Sequence, residues 1–428
     1  MAARASGQSS SSPRRVCVIG AGVVGGATAY LLARAGHEVT VIEALDSPGL
    51  GTSYANGGQL SYSYVEPLAS PATLRKLPSL LSDPESPLRV RFTGEWSQLR
   101  WGLQFVRACT RAKVEATTRA LLALSFLSRD ELDRAREVEV LSFRHAKLGK
   151  LVICDTPQSL QAAARQVEFQ RQFGCQQTML DQAACLQREP ALAGYAAHVH
   201  GGVWTPDEAV GDALLLSQHL VASAQASGAK VRYRTRVTGA VVHGDCIKAL
   251  HTNHGPVHAD AFVLANGADA AALGQRLGVR LSIYPIKGYS ITLPLRRLEA
   301  APQTSVTDLR RKTVYARLGS HLRIAGMAEL VGHDLHVDPA RVRALVQCAE
   351  EIFPGACDTQ ADPQPWVGLR PATPSSLPLI GPARYANLLL NVGHGALGFT
   401  LAMGSARLIE RHLAGDPSPI GAPFAYRG

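Results

Sequence analysis

The feature that most constrains this chain lies near its start, in RRVCVIGAGVVGGATAYLLARAGHEVTVIEA, residues 14–44. Residues 16–19 form a continuous apolar run suited to a strand buried on both faces, and residues 25–34 form an alanine-rich helix that Gly36 ends. Residues 39–42 read as a second strand, closed by Glu43. Between the first strand and the helix stand Gly20, Gly22 and Gly25, with Val23 and Val24 inside the spacing. A glycine turn of this spacing lets backbone approach a pyrophosphate, and the helix start offers free N–H groups and a positive dipole end. A carboxylate at the end of the second strand accepts ribose hydroxyls and would repel a ribose phosphate. Strand, turn, helix, strand and acid together predict a dinucleotide-binding unit, with NADP disfavoured.

At 428 residues, the rest of the chain has room for a second domain. Alternating strands and helices recur at both ends. Residues 281–327 between them are strand-rich, so one domain is assembled from separated pieces. Residues 96–139 read as mostly helical, 157–173 and 341–352 as helices, 230–237 as one strand, and 363–382 as a proline-rich connection. The first 15 residues lack the apolar core of a secretory signal and read as a disordered tail. No apolar run reaches the roughly 18 residues of a membrane-spanning helix. The eight cysteines, at 17, 109, 154, 175, 185, 246, 348 and 357, show neither CxxC nor zinc spacing, which predicts free thiols in a reducing cytoplasm and no metal site. A net charge of +10 without a recognisable nucleic-acid module points away from nucleic acid. Residues 89–113 mix basic residues with Trp96, Trp101 and Phe105; this is an amphipathic stretch that suits a solvated helix face or, as the second reading, contact with a membrane surface.

A second GxGxxG, Gly393-x-Gly395-x-x-Gly398, lies between the strand over 388–391 and a helix over 399–413. No strand or ribose-binding acid follows it, so it reads as a turn aiming a helix start at an anion, such as a reduced flavin, or as a packing turn. Arg370 sits in WVGLRPATPSSLPLIG, a stiff segment suited to bidentate carboxylate binding, although a lone arginine serves structure more often. His394 is either structural or catalytic. Tyr64, Tyr289 and Tyr315 are candidates to line a pocket, with core packing as the alternative.

Taken together, GAGVVG, TSYANGGQLS, GVWTPDEAVGD, YPIKGYS, GLRPATP and NVGHGALGFT resemble the small FAD-containing D-amino acid dehydrogenases, within the wider glycine oxidase and sarcosine oxidase group. The resemblance runs from Arg15 to about Ile420. It implies noncovalent FAD, oxidation of a D-amino acid by hydride transfer from Cα to flavin N5, and hydrolysis of the imine to a 2-oxo acid and ammonia. Carried over by motif, Gly20, Gly22, Val23, Val24, Gly25 and Glu43 hold the ADP part. Thr52, Ser53, Asn56, Gly57, Gly58 and Gln59 run beside the pyrophosphate and ring. Val237 meets the adenine side and Gly267 a phosphate. Gly395, Ala396, Leu397, Gly398 and Thr400 face the pyrimidine end of the flavin, and Arg370 holds the substrate carboxylate. Gly368 stands near the position of the flavin-linked cysteine in sarcosine oxidases, so that link is excluded. Tyr62, Ser63 and Tyr315 depart from the family pattern near the substrate.

The resulting expectation is an α/β protein. A Rossmann-like FAD domain is built from 15–64, 203–275 and 366–428, after a tail over 1–14. A strand-rich α+β substrate cap comprises 142–202 and 276–365, and 65–141 is a helical insert. The electron acceptor implied is a quinone or carrier, with the enzyme cytoplasmic or peripheral on the inner face of the membrane. The alternatives are an amino acid oxidase, a dehydrogenase of secondary amines such as D-hydroxyproline or N-methyl amino acids, and a flavin-carrying electron-transfer or assembly subunit that works beside a partner chain.

Overall fold

The computed structural model describes residues 13–75 and 86–428. The expected tail lies outside these residues up to position 12, as do residues 76–85 of the expected helical insert.

Six strands form one sheet in the order Leu379–Pro382, Leu388–Val392, Ala261–Leu264, Arg15–Ile19, Glu38–Ile42 and Lys230–Arg232. All neighbours are parallel except the first pair. Val16, Cys17 and Val18, like Phe262, Val263 and Leu264, are fully buried. Their runs are apolar without alternation because both faces are covered. The helices Val23–Arg34, Ala213–Ala226 and Gly398–Leu413 cover one face, and Arg111–Val138 packs on the last of them. The other face carries the antiparallel meander Val237–His243, Cys246–Thr252 and Gly255–Val257, with the short helix Ala270–Arg276.

The nucleotide turn has the form its glycines demand. Gly20 holds φ at +105°, and a Cβ there would sit 2.6 Å from the Ala265 carbonyl oxygen; a Cβ on Gly25 would lie 1.9 Å from that of Gly20. A side chain at Gly20 would collide with the backbone that follows the neighbouring strand Ala261–Leu264, and one at Gly25 forces strand and helix apart.

A nine-stranded sheet forms the second domain. Its order is Trp366–Ala372, Tyr284–Pro294, His321–Leu330, Thr313–Leu318, Ser305–Asp308, Lys150–Cys154, Gly201–Thr205 and Thr178–Asp181, with Leu88–Val90 pairing beside Ala328–Leu330. One face is packed by the helix Pro339–Ile352 and the turns near Leu192 and Tyr195. The other faces residues 55–59: Gly57 lies against Val314 and Ala325, and Gly58 against Ala316.

Several expectations move. The 363–382 stretch is not only a connection: it carries Trp366–Ala372, at the edge of the large sheet, and Leu379–Pro382, at the edge of the small one. Edge positions tolerate its prolines, because they leave no ladder bond unmade. The boundaries at 203 and 366 therefore shift, since Gly201–Thr205 and Trp366–Ala372 both pair within the cap sheet. The strand expected over 230–237 breaks at Arg234, whose φ is +52°, and Val237 opens the meander instead. The helical stretch 96–139 is two helices, Trp96–Ala108 and Arg111–Val138, the second capped by the Thr110 side chain.

Candidate active site

At the carboxyl end of the Glu38–Ile42 strand, Glu43 accepts the Ala21 N–H at 2.6 Å and the Leu45 N–H at 2.9 Å. The acid thus braces the glycine turn. The Ser53 hydroxyl accepts the Val23 N–H at 3.1 Å, at the first residue of the helix, with Val24 next to it. Val237 packs with Ile19, Ile42 and Leu264 in the cluster behind these strand ends. Across the turn, Asn266 sits against Gly20, its Oδ1 buried and without a partner among the described residues. Gly267 follows at φ +59° with open space where a side chain would be.

Residues 52–60 then run along the seam between the two domains, fastened to the nine-stranded sheet and, through Ser53, to the helix Val23–Arg34. Thr52 donates its hydroxyl to the Leu369 carbonyl at 2.8 Å, and Ser290 donates to the Ala55 carbonyl at 2.6 Å. Asn56 closes a turn by accepting the Gly58 N–H at 2.8 Å, and its carbonyl takes an N–H of the buried Arg323 at 2.9 Å. Gln59 donates to Ser305 Oγ at 2.6 Å. From the far side, Thr400 accepts the Ser61 N–H at 3.1 Å, which ties the start of the Gly398–Leu413 helix to the same loop. Gly395, Ala396 and Leu397 form the turn that precedes this helix.

His394 forms an isolated bridge with Ala372, two residues beyond Arg370 on one strand. Its ring is buried, Nε2 lacks a partner among the described residues, and burial pushes its pKa down to about 3. It is therefore neutral at pH 7. Arg370 is opposite Ile286 in register and lies over Gly288, where any side chain would collide with the guanidinium. One N–H reaches the Met327 carbonyl at 2.7 Å. Burial alone lowers its pKa, and no carboxylate among the described residues pairs with it. A desolvated guanidinium without a counter-charge is costly, and it remains protonated.

Two expected pocket residues belong elsewhere. Side chains alternate along a strand, so Tyr289 points to the face opposite Arg370. There its hydroxyl reaches Glu329 at 3.2 Å, inside the cluster under the Pro339–Ile352 helix. Tyr315 is fully buried in the same cluster, edge-on to Phe353. Both are core residues. Tyr64 does lie on the seam side, with the Lys150 ammonium 4.5 Å from its ring centroid.

That lysine belongs to a group that sequence reasoning missed. Lys150 is buried, donates to Ser61 Oγ at 2.8 Å, and has its pKa pushed down to about 8 by burial against the pull of Glu208. Glu208 accepts the N–H groups of Ser63 and Tyr64, while Oε2 has no partner among the described residues. Burial raises the Glu208 pKa, and Lys150 opposes that rise. The sequence carried a signal for three of the four: Glu208 lies inside GVWTPDEAVGD and Ser61 inside TSYANGGQLS, and Tyr64 was a pocket candidate, whereas nothing marked Lys150.

These features fit a bound dinucleotide flavin. Helix-start N–H groups and a bare glycine turn stand at one end, a long polar-tethered loop runs along the seam, and unpartnered polar atoms of Asn266 and His394 occur along it. The fold and site define a class that the comparisons identify. The family described as FAD dependent oxidoreductase matches residues 15–411, and the chain belongs to it. It is an FAD-dependent amine oxidoreductase.

Among its relatives, the chain is 45% identical over 421 residues to D-amino acid dehydrogenase 2 of Ralstonia nicotianae, covering 96% of this chain and 99% of that one. It is 44% identical over 411 residues to D-amino acid dehydrogenase 2 of Pseudomonas aeruginosa, covering 95% and 96%. Glycine oxidase from Geobacillus kaustophilus shares the fold with a TM-score of 0.73 at 24% identity, covering 97% of this chain and 100% of that one.

Proposed function

We propose that the chain oxidatively deaminates D-amino acids and passes the electrons to a quinone or other carrier rather than to oxygen. The relatives named D-amino acid dehydrogenase, similar over nearly their whole length, support the substrate class. The observation that carries an amino-acid substrate is Arg370: a buried cation beside Gly288, with a backbone carbonyl as partner and no acid among the described residues. A substrate carboxylate supplies the missing counter-charge and accepts two N–H groups in one plane, which fixes the orientation of Cα.

When bound, FAD supplies the acceptor of two electrons. In this reading Gly20, Gly22, Val23, Gly25 and Glu43 hold its ADP half, and Thr52, Ser53, Asn56, Gly57, Gly58 and Gln59 hold its middle. Gly267 and Val237 stand at the phosphate and adenine sides. Gly395 to Thr400 face the ring end. No covalent link is invoked, so acid precipitation should release the yellow colour. The neutral His394 borders the ring end and bears no charge that would compete for the substrate carboxylate.

The test is steady-state dye-linked kinetics of Arg370→Ala and Arg370→Lys with a D-amino acid and with the matching amine lacking its carboxylate. Leaving a bound carboxylate unpaired costs roughly 2–5 kcal/mol, so the alanine variant should lose about 30-fold to several thousand-fold in kcat/KM with the amino acid. Lysine restores charge but not the fork and should rescue only in part. Equal losses on both substrates would exclude Arg370 as the carboxylate anchor.

A further inference from the structure

The face of the nine-stranded sheet that carries Arg370 holds a second buried cation far from it. Register decides which side chains share that face. Arg370 lies opposite Ile286, Ser290 opposite Ala325, Ala325 opposite Val314, Val314 opposite Thr307, and Ser305 opposite Lys150. Residues at even separations along a strand point the same way, so Arg370, Ser290, Ser305 and Lys150 all face the seam. Two fastenings agree with this: Ser290 donates to the Ala55 carbonyl, and Gln59 donates to Ser305 Oγ. Arg370 and Lys150 stand on the first and sixth strands in the sheet order. Five strand spacings separate their backbones by roughly 24 Å. The two cations therefore flank the seam from opposite sides.

Lys150 is 3% exposed. Its ammonium donates to Ser61 Oγ and lies over the Tyr64 ring. Its register neighbours, Thr205 and Ser305, are uncharged. The charged group that acts on it is Glu208, which opposes the fall in pKa that burial causes; at about 8, the ammonium is still protonated at pH 7. Glu208 does not pair with it. Oε1 is taken by the Ser63 and Tyr64 N–H groups, and Oε2 has no partner among the described residues. Tyr62, Tyr64 and Cys175 around this carboxylate have their pKa values raised by burial and add no charge at pH 7. A desolvated ammonium without an ion pair is costly, and a negative charge arriving in the seam offsets that cost. In the proposed reaction two such charges arrive. One is the substrate carboxylate, which Arg370 takes; the other is the charge that reduction places on the flavin.

Lys150 is tied to the ring end of the site. Ser61, which accepts its hydrogen bond, donates its own N–H to Thr400 Oγ1 at 3.1 Å, in the first turn of the helix Gly398–Leu413. We propose that Lys150 is the counter-cation of the reduced flavin, a positioning residue that acts through its charge and makes the bound cofactor easier to reduce. This assignment rests on the flavin ring lying beside Gly395 to Thr400. A fixed cation favours the reduced cofactor over the oxidised one, and by linkage the same factor appears in the relative affinities of the two forms.

The experiment is reductive titration of the holoenzyme against a reference dye, which gives the two-electron potential, with oxidised-FAD affinity measured in parallel. Lys150→Met removes charge and hydrogen bond together. Lys150→Gln keeps a donor for Ser61 without charge, and Lys150→Arg keeps the charge. The methionine and glutamine variants should each move the ratio of reduced to oxidised flavin about tenfold toward oxidised, or about 30 mV for a two-electron couple. Oxidised-FAD affinity should not change, and arginine should recover most of the shift. Unchanged potentials in the methionine and glutamine variants overturn the proposal. So does an arginine variant that falls with them, because fastening of Ser61 and not charge is then what matters. Unchanged potentials with a loss of dye-linked kcat/KM confined to D-aspartate and D-glutamate would assign the cation to a substrate side chain instead, and also overturn it. The ring placement can fail separately, since it is read by flavin affinity in Gly398→Ala. Shifted potentials beside unchanged affinity there would correct the placement and keep Lys150 as counter-cation. Unchanged potentials beside weakened affinity would remove Lys150 alone.

Discussion

The chain contains the same glycine spacing twice, and the two copies do different things. At Gly20-x-Gly22-x-x-Gly25 the turn is clamped. The first glycine is at φ +105°, the third touches the carbonyl of the first, and the parallel strand Glu38–Ile42 follows to present Glu43. At Gly393-x-Gly395-x-x-Gly398 both of the first two glycines have positive φ, where Gly22 of the first motif does not, and Gly398 begins a helix with only the His394 side chain nearby, at 3.6 Å from an added Cβ. No strand follows, and the turn leans on the cap through the bridge of His394 to Ala372. The motif does not by itself determine a nucleotide fold. What packs around the third glycine, and what comes after the helix, decides whether the turn builds a domain or joins two.

The contrast can be broken most directly at the third glycines. Gly25→Ala puts a methyl 1.9 Å from a backbone oxygen that no rotamer can move. It should be the most damaging single change here, with loss of soluble FAD-containing protein, read as flavin content and thermal midpoint. A variant that retained both would mean that the turn is far more pliable than its geometry implies.

Next in size is Glu43→Ala. It removes the carboxylate that accepts the Ala21 and Leu45 N–H groups and, in the proposed site, the ribose hydroxyls. Hydrogen bonds to a charged group contribute roughly 1.5–3 kcal/mol. FAD affinity, measured by titrating apoprotein, should fall about tenfold or more. Unchanged affinity would leave Glu43 as a turn brace only.

The second turn has its own signature in pH. His394 is held neutral, with its pKa pushed down to about 3 from an ordinary value of about 6.5. Below the ordinary value the unfolded chain takes up a proton that the folded chain refuses. The stability His394 confers is therefore full above about pH 6.5 and is lost as pH falls toward 3. Comparing thermal midpoints of the wild type and His394→Asn across that window should show the variant losing less on acidification. Parallel curves would mean that His394 is hydrated and titrates normally.

What could be read in advance follows the range of the interactions. The buried strands at 16–19 and 39–42 announced themselves because apolar side chains on both faces leave a local record. Trp366–Ala372 was hidden because Pro371 signals a connection; its place at a sheet edge, opposite Pro285, is a fact of pairing. Tyr289 and Tyr315 failed as pocket residues for a related reason, since the face a strand residue occupies depends on register, which no single segment states. Lys150, Ser61, Tyr64 and Glu208 meet from three segments far apart in the chain, so no spacing could reveal them. Arg370 was legible as a candidate, but its lack of an acidic partner among the described residues appears only when the strands are assembled.

The smallest expected effect separates fold from cofactor at the second turn. Gly398 is helical at φ −55°, and a Cβ there would meet His394 Cβ at an ordinary contact distance of 3.6 Å. Replacing glycine by alanine at a helical position removes freedom from the unfolded chain and stabilises by roughly 0.4–1 kcal/mol when there is room. The apoprotein of Gly398→Ala should therefore melt no lower than the wild type. If the ring end of the flavin approaches this backbone as proposed, the added methyl occupies space that only the cofactor uses, and flavin affinity should fall while the apoprotein does not change. Thermal melts of apoprotein beside a flavin titration separate the two. A drop in both would mean that the turn is packed as tightly as the first one. Unchanged flavin affinity would remove Gly398 from the cofactor site and leave the second glycine motif as a joint between domains alone.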